Sequence, residues 1–170
     1  MNNPAKPIPG TPAWQIETLA ESAMSLAKSG DIAGAEKIYE KILEAAPYHV
    51  RSLNALANRA MERGDVKRAQ VLLERAIKSA PERPILHENL GHLLSAKGEK
   101  EQALICFGKA AELKPDYVYP WIYQADILES LGRHEEAAYM YARVAKLAPP
   151  AAIIATDPAI RPDKRQLVIR

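Results

Sequence analysis

The segment His87-Glu88-Asn89-Leu90-Gly91-His92 is where the chain comes nearest to a metal-dependent hydrolase pattern. Two histidines four residues apart on a helix share a face and can hold one zinc ion, with a glutamate between them as the base. Here the spacing is five. At about 100° per residue the two imidazoles point roughly 140° apart, so a regular helix cannot bring both to one metal. His49 and His134 stand at loop or helix-start positions and suggest no chemistry. Cys106 is the only cysteine, which rules out an intrachain disulfide and leaves a cysteine-based metal site without its other ligands. It reads as a small buried hydrophobe. The patterns G-x-x-x-x-G-K-[ST], G-x-G-x-x-G and G-x-S-x-G are all missing, so nucleotide binding and serine hydrolysis lack even a motif. The expectation is a chain with no catalytic residues, no cofactor and no metal.

Composition narrows the classes further. A chain of 170 residues with 48% hydrophobic content can bury a sizeable core, and its net charge of +2 comes from nearly balanced acids and bases. That balance gives no electrostatic case for nucleic acid or an anionic membrane as partner. The first twelve residues carry four prolines and no apolar run of signal-peptide type, and no stretch approaches the roughly 18 apolar residues of a membrane span. A cytoplasmic protein is expected.

The elements that must position any functional residue are set by a repeat. Pro47, Pro81, Pro115 and Pro149 recur at a constant step of 34 residues, as do Gly30, Gly64, Gly98 and Gly132. Ala35, Ala69, Ala103 and Ala137 share that step, and so do the large apolar residues Tyr39, Leu73, Phe107 and Tyr141. Each series has a physical reason. The glycines can take φ > 0 and so close one helix and turn the chain. Asp31 and Asp65 follow two of them and suit a helix start, accepting from free amides. The prolines stop the second helix of each pair. The alanines, opposite Ala23, Ala57, Gly91 and Ala125, let two helix axes approach to about 8–10 Å. Each unit is therefore helix, turn, helix, stop.

These series resemble the tetratricopeptide repeat, W-x2-L-G-x2-Y followed by A, F and P at fixed offsets. The third copy, from Pro84, places Leu90, Gly91, Leu94, Gly98, Ala103, Phe107, Ala110 and Pro115 at the family's positions, with His87 in place of tryptophan. The fourth, from Val118, has Trp121, Ala125, Leu128, Gly132, Ala137, Tyr141 and Pro149, with Gln124 at a usual leucine. The first and second copies carry Leu19 and Leu53 at the tryptophan site. The resemblance implies an all-α, right-handed solenoid of four antiparallel helix pairs. The expected organisation is a disordered proline-rich lead over 1–11, repeats over 12–149 (16–49, 50–83, 84–117 and 118–151 by register), and an irregular tail or further module over 150–170. Tyr39, Phe107, Trp121 and Tyr141 then fall at core positions, Glu36, Lys37, Glu40 and Lys41 on an exposed convex face, and His87 toward the core.

In this family the second face of each first helix lines a concave groove that binds a peptide or protein segment. Carried over by register, the lining is Glu17, Glu21, Met24 and Lys28; Arg51, Asn54, Asn58 and Met61; Glu88, Asn89, His92 and Ser95; and Tyr119, Ile122, Tyr123, Asp126 and Glu129. The contact set expected from it is Arg51, Asn54, Asn58, Glu88, Asn89, His92, Tyr119, Tyr123 and Asp126. Amides there can hydrogen-bond an extended backbone, and tyrosines supply rigid amphipathic rings. Some members of the family clamp the C-terminal carboxylate of chaperones with lysines, asparagines and an arginine. Here only Asn58 and Asn89 fall on the clamp's asparagine positions, while its cationic positions hold Asn54, Tyr119 and Tyr123. Two amides cannot replace three cations. A neutral or basic segment is expected in preference to an acidic tail.

The ends leave two further readings open. Thr11 and Pro12 form a helix start with threonine as cap, and Trp14 is placed to cover the first copy. After Pro149 and Pro150 the prolines Pro158 and Pro162 prevent a long capping helix. Ile153, Ile154 and Ile160 either fold back over the fourth copy or leave it uncapped. The chain is then an adaptor, the interaction or targeting domain of a larger enzyme, or a scaffold that self-associates through the uncapped fourth copy.

Overall fold

Short apolar stripes at helical spacing, cut by a glycine or proline every turn of the repeat, fold as eight helices among the described residues. The structure is a computed structural model and describes residues 11–147. It divides into two units, one reaching Glu82 and one beginning at Arg83. The first holds α1 (Ala13–Lys28), α2 (Ile32–Ala45), α3 (Val50–Glu62) and α4 (Val66–Ser79). The second holds α5 (Pro84–Ala96), α6 (Lys100–Leu113), α7 (Val118–Ser130) and α8 (His134–Leu147). Within the first unit α1 packs on α2, α2 on α3 and α3 on α4. Within the second, α5 packs on α6, α6 on α7 and α7 on α8.

The turns are made as the repeat requires. Gly30, Gly64, Gly98 and Gly132 all take positive φ, between 74° and 94°. Each lets the next amide reach back into the finished helix: Asp31 N–H donates to Leu26 O at 2.9 Å, Asp65 to Ala60 at 2.8 Å, Glu99 to Leu94 at 2.9 Å and Arg133 to Leu128 at 2.9 Å. The following helix is then capped by Asp31, which accepts from Gly34 N at 2.8 Å, and by Asp65, which accepts from Arg68 N at 3.1 Å. Glu99 stands at the same place without a side-chain cap bond, its carboxylate carried one methylene further out. Ala46, Ala80 and Lys114, each before a proline, leave the α region as proline demands.

The core is built on the expected series. Ala35, Ala69, Ala103 and Ala137 are buried against Ala23, Ala57, Gly91 and Ala125 of the partner helices, and Tyr39, Leu73, Phe107 and Tyr141 are buried beside them. Five expectations are corrected. Helix α1 starts one residue late, with Pro12 at the cap and no side-chain cap bond; its carbonyl accepts from Gln15 N at 2.9 Å. Trp14 is exposed and covers no end. Trp121 is only partly buried, lying on the Ile122 and Val144 cluster with Nε1 donating to Pro115 O at 3.3 Å and the Arg143 guanidinium 5.3 Å from its ring centroid. His87, in the same register, is likewise half-buried. Glu36 is not on an exposed face. It is buried, with Arg63 NH2 at 2.6 Å and Arg59 Nε at 3.4 Å, because α3 brings two guanidiniums against the first turn of α2. The segments 1–10 and 148–170, with the expected proline-rich lead, Pro149 and the irregular tail, lie outside the described residues.

Candidate functional site

The first helix of each pair carries the candidate residues, and each unit presents its own set. In the first unit the set is Arg51, Asn54 and Asn58 on α3, facing the charge of α1. Glu17 of α1 lies 3.5 Å from the Arg51 guanidinium and 3.3 Å from His49 Nε2. His49 is the N-cap of α3: its Nδ1 accepts from Ser52 N at 3.3 Å and lies 2.8 Å from Ser52 Oγ. With Nδ1 accepting, the ring proton sits on Nε2 and is given to Glu17. Histidine at this helix start therefore ties α3 to α1. Arg51 is a cation already offset by a carboxylate, and Asn54 and Asn58 are half-buried beside it.

In the second unit α5 and α7 bring together rings and carboxylates. His92 stands edge-on to Phe107 at 5.1 Å and to Tyr123 at 4.3 Å, and Phe107 and Tyr123 lie 5.1 Å apart. Tyr123 continues to Tyr119 at 6.4 Å in a stacked arrangement, and Tyr119 meets Tyr117 edge-on at 5.6 Å. Phe107 is the buried floor, and His92, Tyr123, Tyr119 and Tyr117 are half-buried above it. Glu88 lies one turn before His92, with Oε1 at 3.8 Å from His92 Nε2. Burial pushes the Tyr117 hydroxyl well above its ordinary range, and a hydrogen bond to the Glu88 carboxylate raises it further. Asn89 is half-buried on the same helix. Asp126 is engaged from behind, accepting from Tyr141 OH at 2.8 Å.

Two residues of the expected lining are not solvent-facing. Glu88 is 5% exposed and Ile122 6%. Both occupy the fifth position of their copies, as do Ala20, also buried, and Asn54, half-buried. That position lies at the border of the groove face, where a neighbouring element covers it. For Glu88 the cover includes Tyr117, which precedes α7; for Ile122 it is Val144 of α8. Tyr117 was missed because it falls in the loop between copies. The signal for it was the local density of rings, with Tyr117, Tyr119 and Tyr123 inside seven residues.

His87 and His92 share no metal site; among the described residues no three His, Cys, Asp or Glu side chains gather closely enough to hold one. Burial pushes the Cys106 thiol up, in keeping with a packing role. No helix among the described residues is long and apolar enough to cross a membrane.

Two family profiles, both described as tetratricopeptide repeat, match residues 26–87 and 89–152. No curated protein matches the sequence. Among solved structures, MamA from Desulfovibrio magneticus RS-1 is similar over 84% of this chain and 77% of its own, at 21% identity and a TM-score of 0.69. YrrB, described as a TPR protein with an unusual peptide-binding site, is similar over 79% and 70%, at 22% identity and a TM-score of 0.69. The Thermobaculum terrenum O-GlcNAc transferase, as its K341M mutant, is similar over 79% of this chain but 26% of its own, at 27% identity and a TM-score of 0.69.

Proposed function

Because the chain belongs to the tetratricopeptide-repeat family, whose helix pairs form a protein-interaction fold, we propose that it binds an extended, neutral or basic protein segment on its first-helix faces. The observation that carries this is the ring cluster of the second unit. Tyr117, Tyr119 and Tyr123 are half-buried rather than packed away, and they stand beside Glu88 and Asp126 with Asn89 on the same face. Tyrosine offers large contact area at small entropic loss, and amides can pair with an extended backbone. The likeness to YrrB, a peptide-binding protein of the same fold, supports the mode of binding. Binding without chemistry is the proposed task, since the ionisable groups here are committed to neighbours: Glu17 to His49 and Arg51, Asp126 to Tyr141. An acidic tail is disfavoured because Arg51 is already offset by Glu17.

The test is affinity capture of partners with wild type and with a double variant, Asn58→Ala with Tyr119→Ala. Tyr119 is chosen over Tyr123 because Tyr123 also packs on Phe107, so its loss would confound folding with binding. The expected result is a folded variant, by circular dichroism, that binds a wild-type partner at least about tenfold more weakly, or about 1.4 kcal/mol. An unchanged partner set would move the site elsewhere, and a partner that is the chain itself would favour the scaffold reading.

A second reading, the interaction domain of a larger enzyme, is favoured by the transferase, of which the similar stretch is 26%. A native polypeptide much larger than 18.7 kDa in its source cells would support it.

A further inference from the structure

We infer that Glu88 is the receptor for an arginine side chain of the bound segment, held between the carboxylate and the tyrosine faces of the second unit. The inference rests on the reading of this face as a segment-binding site and goes beyond it to the residue that is read.

The argument starts from an atom. Glu88 is 5% exposed, and its Oε2 is buried without a hydrogen-bond partner. An ionised carboxylate has about four acceptor positions. Tyr117 donates to the group once, and His92 Nε2, at 3.8 Å from Oε1, stands beyond hydrogen-bonding distance. A buried carboxylate with an unmet oxygen weighs against folding. Packing does not require it, because the same repeat position is filled by Ala20 and Ile122, both buried and apolar. An acid where an alanine or isoleucine would serve the fold better points to a ligand.

The surroundings specify the ligand's chemistry. Tyrosine faces attract cations within about 6 Å of the ring centroid. The Tyr117 ring already does so, with Lys114 Nζ 5.4 Å from its centroid. A guanidinium suits this site better than an ammonium. It is planar, stacks on rings, and can offer paired N–H donors to one carboxylate. Its path runs past His92, which is half-exposed and not hydrogen-bonded to Glu88. A guanidinium taking the place of that imidazole would supply Oε2 with its missing donor.

The test uses the full chain, labelled with nitrogen-15 and titrated at fixed pH with N-acetyl-arginine methylamide. N-acetyl-citrulline methylamide is the control, nearly the same shape without charge. The expected result is saturable amide shifts over residues 88–92 and 117–123 with the arginine probe, and binding at least about tenfold weaker with citrulline. Glu88→Gln should lose the arginine response while its melting temperature stays equal to or above that of wild type, because a buried charge has been removed. Equal responses to the two probes, no saturable response to arginine, or an undiminished response in Glu88→Gln would each overturn the inference. If Glu88→Gln fails to fold, the comparison of the two probes on wild type still decides. A captured partner lost with the Asn58→Ala, Tyr119→Ala variant but kept at full affinity by Glu88→Gln would overturn the arginine site and leave the groove reading standing. The opposite pattern, a charge-selective probe site with a partner set indifferent to Asn58 and Tyr119, would support the arginine site and remove the groove reading.

Discussion

Replacing Phe107 by alanine is expected to destabilise the second unit by roughly 3–5 kcal/mol, the range for removing a buried aromatic ring. Phe107 is 1% exposed, with Leu94, Ala103 and Ile127 in its core cluster and the His92 and Tyr123 rings each 5.1 Å away. Its removal leaves a void that these neighbours, fixed on three helices, cannot fill without moving the helices. It also removes the floor under His92 and Tyr123, so binding should fall with stability. Denaturation by urea, followed by circular dichroism, checks the first effect. Ile105, on the same helix but exposed, is the control: Ile105→Ala should stay within about 0.5 kcal/mol of wild type. A Phe107→Ala loss below about 1 kcal/mol would contradict the packing described for α5, α6 and α7.

Gly91→Ala is expected to destabilise although it adds the best helix former to the middle of α5. By propensity alone the change should stabilise by about 1 kcal/mol. A β-carbon at Gly91, however, would lie 2.8 Å from Cε1 of Phe107 and 2.9 Å from Cδ1 and Cζ. The ring is enclosed and cannot retreat, so α5 and α6 must separate. Overpacking of this kind is worth roughly 1–3 kcal/mol against folding, enough to reverse the sign. Gly108→Ala in α6 is the matched control, since its added carbon would meet only Gln124 Oε1, at 3.6 Å, an ordinary contact. Gly108→Ala should therefore be neutral or stabilising. If both substitutions stabilise, the close approach of α5 to α6 at Gly91 is wrong.

These two sites show what can be read along a chain. Gly91 and Phe107 were identified by their place in a 34-residue period, because the needs they meet recur in every copy: a small residue where helices cross and a large one to fill the pair. The same holds for the glycines at positive φ and the aspartate caps, which answer to backbone geometry within a few residues. What lies across helices was not legible. Glu36 sits in a stretch of alternating charge that suits an exposed helix, and only the arrival of Arg59 and Arg63 from α3 makes it buried. Glu88 shares a helix face with His92 and Ser95, and its burial depends on Tyr117, a loop residue outside the helical register. Ile122 was assigned to the groove by position and to the core by Val144. Such border positions are decided by the neighbouring element, which a single-helix periodicity does not contain.

The claim that the first-helix face of the second unit is where a partner binds can be tested by placing a photoreactive phenylalanine analogue singly at the position of Tyr119 and at that of Ile105. Both positions are accessible, and they lie on α7 and on the outward side of α6. After irradiation in cell extract, the account predicts a discrete crosslinked partner from position 119 and none from position 105. The same partner captured from 105 and not from 119 would contradict it.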